Sequence, residues 1–196
     1  MGVKVGVLAL QGDVSEHIHA FRQALLAMGR EAGSTVFELR RPAQIPGCDA
    51  IAFPGGESTT ISRLIDKNGM RDPLESFEGG IFATCAGMVL MAREVDDPRV
   101  QPLRRMDITV MRNAFGRQKE SFEADLDVKG LDLPYHAIFI RAPVATEVGP
   151  SAETLAAIDQ GAVAVRQGRH MAFSFHPEIG GDLRLHLLFL QDLLEG

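Results

Sequence analysis

Three short apolar runs, each followed by a turn and a helical pattern, constrain the fold of this chain more than any other feature. The first, residues 3–10, is nearly all apolar and rich in β-branched side chains, which is typical of a strand buried on both faces of a parallel sheet. Residues 49–53 and 81–84 repeat it. Helices are predicted at residues 14–29, 58–66, 86–93 and 182–194. This alternation indicates parallel βαβ units with right-handed crossovers.

The second half of the chain has a different sequence pattern, in which short β-patterned segments follow one another with little predicted helix between them. These segments are residues 108–111, 122–128, 138–140, 162–165 and 171–175. Such spacing favours antiparallel or mixed pairing. We therefore predict an α/β fold with three layers, in which helices flank a mixed, mostly parallel sheet. A chain of 196 residues with 45% hydrophobic content suits one core, so a single domain over residues 1–196 is expected.

Composition excludes several classes of function. The net charge of −6 and the lack of any Lys/Arg cluster longer than a pair argue against binding to nucleic acid or to an anionic membrane. No run approaches the ~20 apolar residues of a membrane span, and no cleavable leader is visible. Cys48 and Cys85 are too few for a disulfide framework and lack metal-ligand spacing. We expect a cytoplasmic protein that acts on small molecules or on protein partners, without a metal.

Cys85 follows the third apolar run, where a strand is predicted to turn into a helix. Ligands of open α/β sheets gather at this carboxyl end of the strands. The small neighbours Ala83, Ala86 and Gly87 suit a sharp nucleophile elbow, with Cys in the place that Ser often takes. Free cysteines are also among the most buried residues, so simple packing is the alternative. The turn alone leaves both interpretations open.

The segment His176-Pro177-Glu178 follows the last predicted strand. A thiol nucleophile needs a base within hydrogen-bond reach, and the base needs a carboxylate to orient it. Residues two apart in extended chain point to the same side, so His176 and Glu178 are expected to act together. We predict a Cys85, His176, Glu178 relay. The alternative is a loop histidine beside a solvated acid.

The glycine-containing stretch PGGES, residues 54–58, follows the second apolar run. Glycines let backbone N–H groups face a ligand that a side chain would block. We predict that the N–H groups of Gly56 and Ala86 form an oxyanion hole beside Cys85. Residues 58–60 are expected to cap the following helix. An ordinary glycine turn is the alternative, and a phosphate cradle is disfavoured because neither the Walker pattern nor G-x-G-x-x-G is present.

PGGES, TCAG and HPE together resemble the triad class of glutamine amidotransferases. LALQGDVSEH, RNAFGRQ, SFEADL and FIRAP extend the likeness over essentially the whole chain, and the chain is similar to one branch, the glutaminase subunits of pyridoxal 5′-phosphate synthase. The resemblance implies a class I glutamine amidotransferase-like, flavodoxin-like fold. One departure is Ala83, two residues before the cysteine, where the family more often has Gly.

By this resemblance, Cys85 is the nucleophile that hydrolyses L-glutamine to L-glutamate and ammonia, with His176 and Glu178 completing the triad. The implied glutamine pocket consists of Gly56, Glu57, Ser58, Arg112, Ile140 and Arg141. Guanidinium groups suit the α-carboxylate of glutamine, and Glu57 suits its α-ammonium group. The Gln11-Gly12 loop is implied to lie near the oxyanion site. The resemblance implies no cofactor.

The resemblance also implies a partner: a synthase subunit that builds pyridoxal 5′-phosphate, the active form of vitamin B6, from ribose 5-phosphate and glyceraldehyde 3-phosphate. The two subunits would form a large hetero-oligomer, in which docking raises a weak glutaminase activity. Two other classes stay open. One is a different cysteine hydrolase, such as a peptidase or a deglycase, on the same fold. The other is a catalytically silent regulatory subunit.

Several remaining candidates receive no functional role from the sequence. Glu16, His17 and His19 resemble a metal cluster, but residues two apart on a helix face different ways. No partner is evident for the histidines at positions 136, 170 and 186. Packing is the better interpretation for Cys48, which precedes a predicted strand with no base nearby.

Overall fold

A ten-stranded mixed sheet forms the centre of the computed structural model, which describes residues 2–115 and 121–195. The strands are β1 (Lys4–Leu8), β2 (Thr35–Leu39), β3 (Ala50–Phe53), β4 (Gly80–Thr84), β5 (Ala92–Val95), β6 (Met106–Met111), β7 (Ser121–Leu126), β8 (Tyr135–Ile140), β9 (Val144–Val148), β10 (Glu153–Ile158), β11 (Gly161–Gln167) and β12 (His170–Phe173). The helices are α1 (Val14–Ala27), α2 (Ser58–Lys67), α3 (Arg71–Glu75), α4 (Ala86–Met91) and α5 (Arg184–Glu195).

One half of the sheet is parallel and the other is mixed. Strands β2, β1, β3, β4 and β12 lie side by side in that order and all pair in parallel. This is the strand order of flavodoxin-like folds. Beyond β12, the pairs with β11, β9 and β6 are antiparallel, and β5 pairs in parallel with β6. β10 pairs with β11, while β7 and β8 form a separate hairpin. The predicted mixed α/β sheet is confirmed.

Helices cover both faces of the sheet because the central strands send alternate side chains to opposite sides. On one face, Phe82 of β4 packs in a cluster with Phe21 of α1 and Phe189 of α5. On the other face, Ile81 and Ala83 of the same strand join a cluster that α2, α3 and α4 contribute to. The result is the predicted three-layer arrangement. Among the described residues, no helix has the length and apolar character needed to cross a membrane.

The structure corrects several predicted elements. Four strands, β2, β5, β9 and β10, were not expected. The predicted helix 86–93 ends at Met91, and β5 begins at the next residue. The cap of α2 is Glu57 rather than residues 58–60, because its carboxylate accepts hydrogen bonds from the N–H groups of Thr59 and Thr60. The predicted helix 14–29 ends two residues early, at Ala27, and the predicted stop Gly29 follows it with a φ of 63°, which suits glycine.

The register of β4 against β12 places the carboxyl ends of two strands side by side. Phe173 of β12 pairs with Thr84 of β4, and the N–H of Cys85 donates to the carbonyl of Phe173 at 2.8 Å. The chain that leaves β12 therefore reaches His176 within three residues, at the edge of the sheet where Cys85 lies.

Candidate active site

Cys85 occupies the turn between β4 and α4 in a conformation that few L-residues adopt. Its φ is 49° and its ψ is −105°. A non-glycine residue at such angles is strained and is held there only by its surroundings, which is common at active sites. Its side chain is 8% exposed, and its Sγ lies 3.8 Å from the carbonyl oxygen of Ile140. The predicted sharp elbow is therefore present.

His176 and Glu178 form a hydrogen-bonded pair beside this elbow. Nδ1 of His176 lies 2.7 Å from Oε1 of Glu178, and both side chains are buried. The N–H of His176 donates to the carbonyl of Ile138 at 2.9 Å, which ties the segment to β8. The expected extended conformation is wrong: the chain turns here, and the N–H of Ile179 donates to the carbonyl of His176 at 3.3 Å. The turn brings the acid onto Nδ1 of the imidazole.

The electrostatics of this pair favour charge on both groups. Burial would lower the pKa of His176, but hydrogen bonds with Cys85 and Glu178 outweigh burial and raise the pKa to about 10. Burial would likewise raise the pKa of Glu178, yet His17 and the hydrogen bond from His176 hold the pKa below its ordinary value. An imidazole that contacts a thiol on one side and an ionised carboxylate on the other can hold a proton for transfer.

An open cavity of about 430 Å³ lies above Cys85. This volume is in the range of roughly 300–1,000 Å³ that small-molecule sites occupy. Its walls include Cys85 and His176 and all the residues predicted to bind glutamine or an oxyanion: Gly56, Glu57, Ser58, Ala86, Arg112, Ile140 and Arg141. Glu178 lies behind His176 and does not line the cavity. The structure thus brings together every residue that the sequence nominated.

Glu57 and Arg112 contact each other across the cavity wall. Nη2 of Arg112 donates to Oε1 of Glu57 at 3.0 Å, and its other terminal nitrogen binds Asp97. Burial would raise the pKa of Glu57, but hydrogen bonds from Thr59 and Thr60 outweigh it and lower the pKa to about 2. The acid expected to meet an ammonium group is therefore ionised, and it is engaged with α2 and with an arginine.

The loop at Gly56 packs tightly against the loop that follows β1. Gly56 has a φ of 149°, and a Cβ built there would lie 2.4 Å from Oε1 of Gln11. The same Gln11 oxygen accepts the N–H of Glu57 at 2.8 Å. The implied proximity of the Gln11 loop to Gly56 is thus present in the structure. The oxyanion role of the Gly56 and Ala86 N–H groups stays a prediction.

Two residues that received no role from the sequence lie at the triad: Asp13, the N-cap of α1, and His17 within α1. Oδ2 of Asp13 is 3.6 Å from Nδ1 of His176. Nε2 of His17 is 3.6 Å from Oε1 of Glu178 and 3.0 Å from Oγ1 of Thr84. Their spacing of four residues, which places them on one face of a helix start, was the available signal. This spacing was missed because His17 was considered together with Glu16 and His19.

One set of potential metal ligands coincides with the triad. Within the described ranges, Asp13, His176 and Glu178 are the one group of three whose ligand atoms lie within 4.8 Å of one another. The 2.7 Å hydrogen bond between His176 and Glu178 already occupies Nδ1, the ring nitrogen that faces the two acids. This geometry is compatible with the predicted proton relay.

Two other predictions concern residues away from the triad. Cys48 lies in the hydrophobic core, as packing predicts, and burial raises the pKa of its thiol to about 11. His136, which had no evident partner, is exposed and lies between Asp125 and Glu123. Residues 116–118 of the RNAFGRQ motif lie outside the described residues.

Comparisons with known proteins agree with this geometry. The sequence profile of the SNO glutamine amidotransferase family matches residues 7–195. A protein of Methanosphaerula palustris named pyridoxal 5′-phosphate synthase subunit PdxT is 67% identical over 193 residues, which cover 98% of each chain. One of Methanoculleus marisnigri with the same name is 63% identical over 98% of this chain and 99% of its own. A crystal structure described as a glutamine amidotransferase superposes with a TM-score of 0.84 at 43% identity, over 96% of this chain and 98% of the other. The chain belongs to the SNO glutamine amidotransferase family.

Proposed function

We propose that this protein hydrolyses L-glutamine to L-glutamate and ammonia, as the glutaminase subunit of a pyridoxal 5′-phosphate synthase. The observation that carries the proposal is the convergence of Cys85 and His176 at an open cavity, with Glu178 hydrogen-bonded to the imidazole from behind. Relatives at 67% and 63% identity are named as subunits of that synthase, and this supports the choice of reaction.

The first half of the reaction forms a covalent intermediate. The Cys85 sulfur attacks the side-chain amide carbon of glutamine, a C–S bond forms, and the carbonyl electron pair moves to oxygen. The N–H groups of Gly56 and Ala86 are proposed to stabilise this oxyanion, since both residues line the cavity beside the sulfur. Imidazolium at His176 lies beside the attacking sulfur, in line with the high pKa of that ring.

The second half releases both products. His176 gives its proton to the amide nitrogen, the C–N bond breaks, and ammonia leaves a glutamyl thioester. His176, now neutral, takes a proton from a water molecule that attacks the thioester carbon. The C–S bond then breaks, and glutamate leaves. The Cys85 thiolate and the His176 imidazolium are restored. Glu178 stays ionised throughout and stabilises the imidazolium through Nδ1.

The charged end of glutamine is proposed to bind at the opposite wall of the cavity. Arg112 and Arg141 offer guanidinium groups for the α-carboxylate. Glu57, ionised in the structure, offers a carboxylate for the α-ammonium group. Arg112 and Glu57 form an ion pair with each other. A bound glutamine zwitterion would insert between them, with its α-carboxylate on the arginine and its α-ammonium group on the glutamate. Peptide-bound glutamine lacks this pair of charges and is expected to be a poor substrate.

The ammonia is proposed to pass to a synthase subunit in a large hetero-oligomer in the cytoplasm. Free ammonia becomes ammonium in neutral water and then loses its nucleophilicity, so direct transfer to a docked partner suits this chemistry. The mouth of the cavity carries two exposed apolar side chains, Ile140 at 37% and Ile179 at 46%. Apolar groups that rim a polar cavity are typical of a surface that a partner covers.

Glutamate release from L-glutamine tests the proposal, measured for the wild type with and without the synthase subunit. We expect activity with free glutamine in the complex and not with peptide-bound glutamine. Cys85→Ala should abolish it, while the matched variant Cys48→Ala should retain it. Wild type that stays inactive in the complex, or Cys85→Ala that stays active, would contradict the proposal.

A further inference from the structure

His17 lies beside the triad, where one ring nitrogen faces both Glu178 and the residue that precedes Cys85. Its side chain is fully buried in α1, one helical turn after Asp13. Nε2 is 3.0 Å from Oγ1 of Thr84, the last residue of β4, and 3.6 Å from Oε1 of Glu178. Thr84 is the residue before the nucleophile. One imidazole therefore connects α1, the strand that carries Cys85 and the acid that orients His176.

Burial determines the charge of the His17 ring, and the carboxylate of Glu178 determines which ring nitrogen carries the proton. Burial lowers its pKa, and the nearby Glu178 offsets this only in part, so the ring is neutral at neutral pH. A neutral ring has one N–H. Because Nε2 faces a carboxylate, a lone pair at that position would be repelled, whereas an N–H is attracted. The proton therefore resides on Nε2, and Nδ1 has no hydrogen-bond partner within the described part of the chain.

The carboxylate of Glu178 has few side-chain hydrogen-bond donors among the described residues. His176 holds its Oε1 at 2.7 Å, and Oε2 has no partner among residues 2–115 and 121–195. A buried carboxylate is costly unless donors surround it. Nε2 of His17 lies 3.6 Å from the same oxygen that orients His176, so its N–H attracts the carboxylate electrostatically while its hydrogen-bond partner is Thr84.

We propose that His17 is a positioning residue: its Nε2–H, 3.0 Å from Oγ1 of Thr84 and 3.6 Å from Oε1 of Glu178, attracts the carboxylate and holds it in the orientation that keeps Oε1 on His176. The inference rests on the proposed glutaminase function for its kinetic test. The titratable groups that face His17 or Glu178 come from several elements. They are Asp13 and Glu16 at the start of α1, His176 beside Glu178, Tyr135 of β8 and His186 of α5. None of these except His176 donates a hydrogen bond to Glu178 among the described residues.

Variants at position 17 separate positioning from packing. His17→Gln places an amide N–H near the position of Nε2, whereas His17→Leu fills the volume without a donor. His17→Asn keeps the amide but is too short to reach. The matched control is His186→Leu, which removes another fully buried imidazole. His186 stacks on Phe82 at 4.7 Å and has no hydrogen-bond partner among the described residues.

Two readouts are measured on the full chain. The first is the pH profile of kcat/KM for glutamine in the complex with the synthase subunit. We expect His17→Leu and His17→Asn to lose roughly tenfold or more in kcat at little change in KM. Their acid limb should move to higher pH, because the pKa of Glu178 rises when a donor is lost. His17→Gln should restore most of the rate, and His186→Leu should keep the wild-type profile.

The second readout needs no substrate. The low-field proton resonance of the His176 Nδ1–H should shift and broaden in His17→Leu and His17→Asn, and should be retained in His17→Gln and His186→Leu. If His17→Leu fails to fold, the Gln and Asn variants decide. Equal rates and equal resonances in Gln and Asn would overturn the inference. A wild type without glutaminase activity would overturn the proposed function instead and leave the resonance test of His17 valid.

Discussion

The two cysteines show how the same side chain acquires different chemistry at opposite ends of the sheet. Cys48 lies two residues before β3, at the amino end of that strand, and is 9% exposed. Cys85 directly follows β4, at its carboxyl end, and is 8% exposed. Burial is therefore nearly equal. The difference lies in backbone and neighbours: Cys48 is extended and its thiol donates to the carbonyl of Gln44, whereas Cys85 has a φ of 49° and faces His176.

Burial alone therefore does not define a reactive thiol. At the amino end of β3, burial raises the pKa of Cys48 to about 11, and no histidine is among the groups that influence that pKa. At the carboxyl end of β4, a neighbouring parallel strand delivers an imidazole to the thiol. The carboxyl edge collects such groups because the turns after parallel strands meet there.

The largest expected difference between the two cysteines is in alkylation rate. At pH 7, a thiol of pKa about 11 is ionised in about one molecule in ten thousand, so Cys48 should react extremely slowly. Cys85 should react with iodoacetamide at least about a hundredfold faster. Peptide mass spectrometry after timed labelling of the wild type gives both rates in one sample. Similar rates for the two thiols would remove the contrast.

A methyl group added near Cys85 should reduce activity, whereas one added next to Cys48 should have no effect on activity. A Cβ on Gly55 would lie 2.5 Å from Cε1 of His176, whereas a Cβ on Gly47, next to Cys48, would meet nothing within 4 Å. Gly55→Ala should therefore displace the imidazole and cost roughly a hundredfold in kcat/KM for glutamine. Gly47→Ala should keep wild-type activity. Retention of full activity in Gly55→Ala would show that the imidazole position is not critical.

The pKa of His176 should depend on Cys85 and not on Cys48. Cys85→Ala removes the hydrogen bond and the charge that help to raise the pKa of His176 to about 10, so that pKa should fall. Cys48→Ala should leave it unchanged. Because the folded-state pKa exceeds the unfolded value near 6.5, the associated stability is full below pH 6.5 and is lost as pH rises towards 10. Imidazole NMR titration and unfolding across that window measure both effects. An unchanged His176 titration in Cys85→Ala would contradict the coupling.

The smallest expected effect concerns packing at Cys48. A Cβ on Gly6 of β1 would lie 2.9 Å from Sγ of Cys48. Gly6→Ala should lower the free energy of unfolding by about 1–3 kcal/mol, the usual cost of overpacking. Adding Cys48→Ala should recover part of that loss, because it removes the clashing sulfur. A double-mutant cycle in urea checks this, and additive losses would argue against the contact.

Much of this arrangement could be predicted because its signals are local. The apolar runs of β1, β3 and β4 identified the parallel core, and the small residues around Cys85 identified the elbow. The family resemblance supplied the residues of the cavity wall. The fold class and the family are confirmed. The single domain over residues 1–196 and the catalytic roles stay predictions.

The missed features depend on tertiary contacts that no local pattern encodes. β5 starts directly after α4, inside one apolar stretch, so periodicity could not divide the two. β10 carries register shifts against β11, which blur its alternation. His17 becomes significant only because Thr84 and Glu178, distant in sequence, meet it in space. Glu57 replaced the expected hydroxyl cap because a carboxylate can accept from two N–H groups at once.

Labelling with acivicin, an electrophilic analogue of glutamine, is the sharpest test that Cys85 is the nucleophile and that His176 activates it. We expect a single covalent adduct on Cys85, none on Cys48, protection by excess L-glutamine and loss of labelling in His176→Ala. An adduct on Cys48, or labelling of Cys85 that neither glutamine nor the loss of His176 affects, would contradict it.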